Sequence, residues 1–262
     1  MHGKLIEPST DQILDFCARD PVERVFLEDV ARRGHGRFLA TTLGEDGVVR
    51  GLCHVGTNVV PSGDGCAVFA GATARAGARM LIGEERAVTE LWEAARRRLP
   101  RPREDRPGQP VYSISEPPAA GETGLRAARL ADLGLLVPAC AASHREELGV
   151  DPLRRDPEGF RWRTRVQIEE GRSWLWVEDD VIRFKAEASA WTPSAVQLQQ
   201  VWADPPVRRR GFAARALRDL VRLLLARTPV VTLFVRAENL PAIRLYDAIG
   251  MERVLPYRSI LL

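Results

Sequence analysis

Two short stretches carry residue types that could do chemistry. The first, VRRRGFAARAL from Val207 to Leu217, sets Arg208, Arg209 and Arg210 directly before Gly211, then places Ala213 and Ala214 at the start of a helical pattern. A helix start exposes unpaired backbone N–H groups and the positive end of the helix dipole, so phosphate is its natural guest. Close approach of backbone to an anion requires small side chains where the chain turns. Gly211, Ala213 and Ala214 meet that requirement, and the arginines can neutralise phosphate charge. A solvated basic turn before a core helix explains the arginines and glycine equally well when they are taken alone. A nucleotide P-loop is disfavoured, because no G-K-[ST] closes the motif. In the second stretch Asn239 occupies an N-cap position, Pro241 the first turn and Gly250 the position after the last turn, with Tyr246 between them.

The elements that must hold these residues can be read from period and punctuation. AVQLQQVWA reads as a strand running straight into the arginines, and Ala213, Ala216, Leu217, Leu220, Val221 and Leu224 form one face of the helix that follows. VVTLFVR is a continuous apolar run, as expected of a strand covered on both faces. Upstream, LGLLVPACAASHREELGV and GFRWRTRVQIEEG read as helices. SWLWVE and VIRFKAEASAW read as a hairpin turning at Asp179 and Asp180. The second half is thus β-α-α-β-β-β-α-β-α-β. The first half reads as helix over DQILDFCARDPVERVFLEDVARR, interrupted at Pro21, then strand over VRGLCHVGTNVVP. Helix over AVFAGATARAG, strand over RMLIG and helix over EERAVTELWEAARRR follow, so the whole is α/β. RRRLPRPREDRPGQP reads as an exposed connection, VYSIS as a short strand and EPPAAGETG as a second linker. A boundary near Ala119 divides the chain into an accessory domain, 1–119, and a second domain, 120–262.

Composition narrows the class. With 262 residues, 45% hydrophobic and 28% charged, the chain can bury a substantial core. A formal charge of +3 from 38 basic and 35 acidic residues suits anionic small ligands and does not announce a nucleic-acid binder. The four cysteines lack C-x-x-C spacing and the four histidines lack ligand spacing, so reduced buried thiols and no metal are expected. No signal-peptide core or membrane span is evident, which makes the cytoplasm the expected address.

Residues from about 125 to 262 resemble the GCN5-related N-acetyltransferase (GNAT) family. Its pyrophosphate loop, Q/R-x-x-G-x-G/A, matches Arg208-Arg209-Arg210-Gly211-Phe212-Ala213, and its N-x-x-A-x-x-x-Y pattern matches Asn239, Ala242 and Tyr246, followed by Gly250-Met251. The resemblance implies a mixed, mostly antiparallel sheet flanked by helices, preceded here by a smaller α/β domain for which a degenerate copy of the same fold is one open reading. FCARDPVERVF, GLCHVGTNVVP and EELGVDP also resemble actinobacterial acetyltransferase-like proteins with an uncharacterised N-terminal domain of the DUF4081 kind. Nothing in the first half reproduces the pyrophosphate loop.

The activity implied is acetyl transfer from acetyl-CoA to a primary amine, by direct attack through a tetrahedral intermediate. The resemblance assigns cofactor contacts to Arg208 and Asn239, and to backbone groups of Arg209, Arg210, Gly211, Ala213, Ala214, Val201 and Ala203. The Val201 N–H becomes the candidate oxyanion donor, and Tyr246 the candidate acid for the departing thiolate. A free thiol has a pKa near ~8.5 and a phenol near ~10, so that proton transfer is mildly uphill. A strand glutamate serves as base in some relatives, but this strand offers Gln197, Gln199 and Gln200, and amides accept no proton from an ammonium. Glu147 is the candidate base or amine anchor, with Glu146, Glu187 and a water-mediated route as alternatives; His144, a lone helix histidine, reads as structural. The acceptor class is a small-molecule or peptide amine, with neither nucleic acid nor membrane as partner. A catalytically weak acyl-CoA sensor is the alternative class.

Overall fold

Ser9 and Gln12 cap each other's backbone N–H groups to start helix α1 (Thr10–Cys17), and Asp20 followed by Pro21 starts α2 (Pro21–Arg32). The helical run at the front of the chain is therefore two helices, broken where proline requires. The structure, a computed structural model, describes residues 4–42 and 47–262; His2 lies outside them. Strand β1 (Lys4–Ile6) precedes α1, and β2 (Phe38–Thr42) follows α2. VRGLCHVGTNVVP, expected as one strand, is a hairpin of β3 (Val49–His54) and β4 (Asn58–Gly63), because Gly56 and Thr57 turn the chain. Next come α3 (Ala70–Arg75), β5 (Met80–Glu84) and α4 (Glu85–Ala95), the last capped by the Glu84 carboxylate.

The supposed connection after α4 is corrected by the structure: Glu104–Ile114 is β6, an interior strand of 11 residues. Pro107 and Gly108 disguise it. They sit at an irregularity in the pairing with the last strand, where the missing N–H and the φ of +65° at Gly108 are tolerated. The second half then runs β7 (Arg126–Ala127), α5 (Leu133–Leu148), α6 (Pro152–Arg155), α7 (Pro157–Glu169), β8 (Ser173–Glu178) and β9 (Val181–Trp191). It closes with β10 (Val196–Ala203), α8 (Phe212–Leu225), β11 (Val231–Phe234), α9 (Leu240–Ala248) and β12 (Glu252–Leu261). That is the expected order with the short α6 added.

Among the described residues the strands form a 12-stranded sheet in the order β1-β2-β3-β4-β5-β12-β6-β11-β10-β9-β8-β7. Only β4–β5 and β10–β11 pair in parallel among the described residues; the other neighbours are antiparallel. The order reveals an exchange. The first half's β6 pairs with β11 of the second half, and the second half's β12 pairs with β5 of the first. The two donated strands pair with each other from Glu252↔Ser113 to Leu261↔Glu104, and a buried hydrogen bond from Gln109 to Ser259 Oγ (2.8 Å) marks their middle. A buried bidentate pair between Arg172 and Asp29 ties β8's entry to α2.

Helices cover both faces of the second half's strands. Leu217, Leu220, Val221 and Leu224 of α8 bury against Phe184, Val196 and Leu233. On the opposite face Leu136 and Cys140 of α5 and Phe160 and Ile168 of α7 bury against Leu175 and Ile182. The linker after β6 is strapped across α8: Asp219 accepts from the Gly121 and Thr123 N–H groups (2.7 and 2.8 Å), while Arg215 and Arg222 donate to linker carbonyls. The four cysteines are buried and free.

Candidate functional site

The site begins with a strand that leaves its partner. β10 and β11 pair only at Val196↔Val231 and Gln197↔Thr232, although β11 stays paired with β6 through Phe234↔Val111. Beyond Gln197 the two parallel strands therefore part. On its other edge β10 bulges against β9: Gln199 pairs with Glu187 and Trp202 with Lys185, which leaves Gln200 and Val201 between them without a register partner. Gln200 has φ of +51°, a left-handed conformation that costs a non-glycine residue about 1 kcal/mol. Val201, the expected oxyanion donor, thus lies in the bulge on the lip of the cleft.

β10 leads into the arginine loop. Arg209 (φ +59°) and Gly211 (φ +84°) both take left-handed conformations, and α8 starts at Phe212 with no side chain capping its first N–H groups. Alternating handedness of this kind turns successive N–H groups toward one concavity, a common way to hold an anion. A Cβ on Gly211 would touch nothing within 4 Å, so conformation, and room for whatever binds there, is what glycine supplies. Arg209 and Arg210 are exposed and make no ion pair among the described residues. Arg208 is placed differently from the expected phosphate neutraliser. Its Nε donates to the Ala203 carbonyl (2.9 Å) and its Nη2 to both Glu146 oxygens (2.9 and 2.7 Å). Ala203, expected to serve the pantetheine arm, has its carbonyl engaged by that same guanidinium.

The C-terminal end of α5 reaches over this cleft. Glu147 Oε2 accepts from Gln200 Nε2 (2.5 Å), and its main-chain carbonyl accepts from Arg236 just past β11. Glu147 therefore touches residues on both lips. Glu146 also accepts from the Trp202 indole N–H (3.2 Å). The Gln200 Oε1 atom is buried without a hydrogen-bond partner.

Asn239 caps α9 through its side chain, which accepts from the Ala242 N–H (3.2 Å). Tyr246 is 5% exposed, its ring 5.4 Å from Tyr112 of β6. Burial pushes the Tyr246 phenol well above its usual range, and the charge of Glu147 adds to the effect. The phenol stays protonated at any ordinary pH, and giving up that proton costs more than the free-solution comparison indicates. Tyr112 is fixed in turn by donating to Asp247 (2.8 Å) and accepting from Arg253 Nε (2.7 Å).

Beneath α5 lies a buried ionic cluster. Lys185 is fully buried and donates to Glu187 Oε1 (2.8 Å), which also accepts from the Cys140 thiol (3.2 Å). Burial pushes the Glu187 carboxyl up, but the Lys185 ammonium outweighs it and the net direction is down. Glu187 is therefore a paired carboxylate inside the core and not a free base. Burial raises the Cys140 thiol to about 12.

The corresponding place in the first half is filled. β4 and β5 also pair over only two positions, Asn58↔Met80 and Val59↔Leu81. There, however, Arg24 donates to Ser62 Oγ (3.0 Å), the Tyr257 hydroxyl donates to the Glu23 carbonyl (2.6 Å), and the loop at Asp64 lies against Gly51 so closely that a Cβ could not fit.

Sequence reasoning missed Gln200, Trp202, Arg236 and Tyr112. The adjacent Gln199 and Gln200 do break the alternation of the strand, a readable bulge signal; Tyr112 arrives only through strand exchange, which no local pattern announces. Among the described residues no group of His, Cys, Asp and Glu could hold a metal, and no helix is long and apolar enough to cross a membrane.

Comparison with known proteins adds identity to this geometry. Residues 140–251 match the acetyltransferase (GNAT) family and residues 39–136 match a domain of unknown function, DUF4081. No curated protein matches the sequence. Among solved structures, a GCN5-related N-acetyltransferase from Sphaerobacter thermophilus is 18% identical with a TM-score of 0.63, covering 99% of this chain and 95% of its own. A GNAT-family acetyltransferase from Colwellia psychrerythraea is 9% identical with a TM-score of 0.60, covering 99% of both chains. A tandem GNAT protein from the clavulanic acid biosynthesis pathway is 13% identical with a TM-score of 0.57, covering 98% of this chain and 97% of its own. At these identities the structures share the fold, and they share it along the whole chain.

Proposed function

We propose that this chain, an acyltransferase whose residues 140–251 form an acetyltransferase domain of the GNAT family, transfers the acetyl group of acetyl-CoA to a primary amine on a small molecule or peptide. The observation that carries the reading is the continuity of a parted, bulged strand with an uncapped helix N-terminus: β10 leaves β11 at Gln197 and runs into left-handed Arg209 and Gly211 before α8. Those residues fit a diphosphate. Unsatisfied N–H groups point out of a turn with no side chain at Gly211 and small ones at Ala213 and Ala214, beside the free charges of Arg209 and Arg210.

Acetyl-CoA, when bound, supplies a thioester carbonyl open to attack by an amine. The chain's own residues supply the rest. The N–H groups of Arg209, Gly211, Ala213 and Ala214 hold phosphate oxygens, that of Arg210 being already turned to the Val207 carbonyl (3.4 Å). Backbone groups of Val201 and the N–H of Ala203, whose carbonyl Arg208 holds, bind the extended arm along the parted edge of β10. The Val201 N–H donates to the carbonyl oxygen as negative charge grows on it, an electrostatic contribution worth several kcal/mol, on the order of 3, in such sites. Tyr246, buried and protonated, is the donor toward sulfur. A thiolate leaving into the same dry surroundings is itself more basic than in water, which narrows the gap between them. Glu147, reaching over the cleft from the end of α5, attracts the acceptor's ammonium. Asn239 orders the start of α9 and so the position of Tyr246.

Calorimetry with acetyl-CoA and a thiol-release assay over a panel of amines test the reading. Binding accompanied by amine-dependent release supports it. Binding without release for any amine leaves a sensor of acyl-CoA, and absence of binding overturns the assignment of the loop.

A further inference from the structure

Glu147 is one of several titratable groups on the face of α5 that looks toward β9 and β10. Cys140, His144 and Glu147 follow one another at helical spacing along that face. Cys140 at one end contacts Glu187, whose backbone partner on β10 is Gln199. Glu147 at the other end contacts Gln200. His144 lies between these two contacts, one to Glu187 on β9 beside Gln199 and one to Gln200 in the bulge, and so on the stretch of α5 that runs from the buried pair to the bulge holding Val201. Its ring is half-buried, edge-on to Phe160 of α7 at 5.3 Å, with no hydrogen bond or ion pair of its own among the described residues.

We infer that His144 is the proton acceptor for the acceptor amine, while Glu147 holds its ammonium form in place; the inference rests on the acetyl-transfer reading of this same site. The step balances as follows. The ammonium gives one proton to a ring nitrogen of His144, and the freed lone pair forms the nitrogen–carbon bond. The carbon–sulfur bond breaks with its electrons on sulfur, which takes the Tyr246 proton; the second nitrogen proton restores the phenol, and His144 returns its proton to water. A base for this work must be neutral at neutral pH. Burial lowers the His144 pKa, and the Lys185 ammonium on β9 lowers it further, as does Arg163 on α7; Glu187 on β9 and Glu147 on α5 act in the opposite direction, and the net direction is down. The buried Lys185 thereby acquires a use: its charge sits where it disfavours imidazolium.

The test has two readouts. In the free protein, the His144 C2 proton, assigned by its loss in His144→Gln, titrates below the ordinary value of ~6.5. In Lys185→Met/Glu187→Met, which removes the buried pair as a unit, that midpoint moves up. In turnover, kcat/KM falls on the acid side with the same midpoint, and His144→Gln lowers it about 100-fold and abolishes that limb. A His144 midpoint at or above the ordinary value, or a His144→Gln enzyme that keeps its rate and its acid limb, overturns the inference. If wild-type protein binds no acetyl-CoA, the acetyl-transfer reading fails instead, and the titration still reports on the field at His144.

Discussion

Replacing Gly211 by alanine separates what the loop does for the fold from what it does for a ligand. Gly211 has φ of +84° and a Cβ there would meet nothing within 4 Å, so no steric clash accompanies the substitution. What remains is the cost of a left-handed L-residue, about 1–2 kcal/mol. For a chain of this size that lowers Tm by roughly 2–8 °C. Gly250, after α9, provides a matched control, since its φ is +90° and its Cβ position is also empty within 4 Å. Gly211→Ala and Gly250→Ala are therefore expected to lose similar stability in urea or thermal unfolding. They are expected to differ in acetyl-CoA affinity measured by calorimetry. A methyl group pointing into the diphosphate position displaces phosphate from at least one N–H, and a hydrogen bond to a charged group is worth about 1.5–3 kcal/mol, or roughly 10- to 150-fold in Kd. Gly250→Ala keeps wild-type Kd. Equal affinities for the two variants would refute the phosphate cradle, and a much larger stability loss at Gly211 would refute the claim that the position is sterically free.

Three further outcomes follow from the same geometry. Glu146→Gln releases Arg208 from a half-exposed pair worth about 0–1 kcal/mol, so acetyl-CoA should bind up to ~5-fold more tightly; weaker binding would show that Arg208 serves as a brace between α5 and β10. Lys185→Met alone leaves Glu187 charged, buried and unpaired, and should destabilise by about 3–5 kcal/mol in urea unfolding, whereas adding Glu187→Met should restore most of the loss. Residues 120–262 expressed alone lack β6, which fills the place between β11 and β12. That fragment should fail to give a cooperative unfolding transition, and co-expression with residues 1–119 should restore one.

The parts of this molecule that were legible in the sequence are those set by neighbours along the chain. Asn239 capping α9, Pro21 dividing α1 from α2, the amphipathic face of α8 and the glycine turn before it each depend on residues within a few positions, and each is where local chemistry puts it. The illegible parts depend on pairing across the chain. β6 looked like a charged, proline-bearing connection because its stability comes from β11 and β12, more than a hundred residues away, and not from its own propensity. The same strand brings Tyr112 beside Tyr246, so one misread strand hid one wall of the site. Glu187 shows the converse error. As a glutamate on a strand it qualified as a base, and only its burial against Lys185 removes it from that role. A carboxylate, an amide pair and a histidine near one bulge do not reveal in sequence which of them can take a proton. On the proposal made above the choice falls on His144, whose charged form is disfavoured first by burial and then by the Lys185 ammonium.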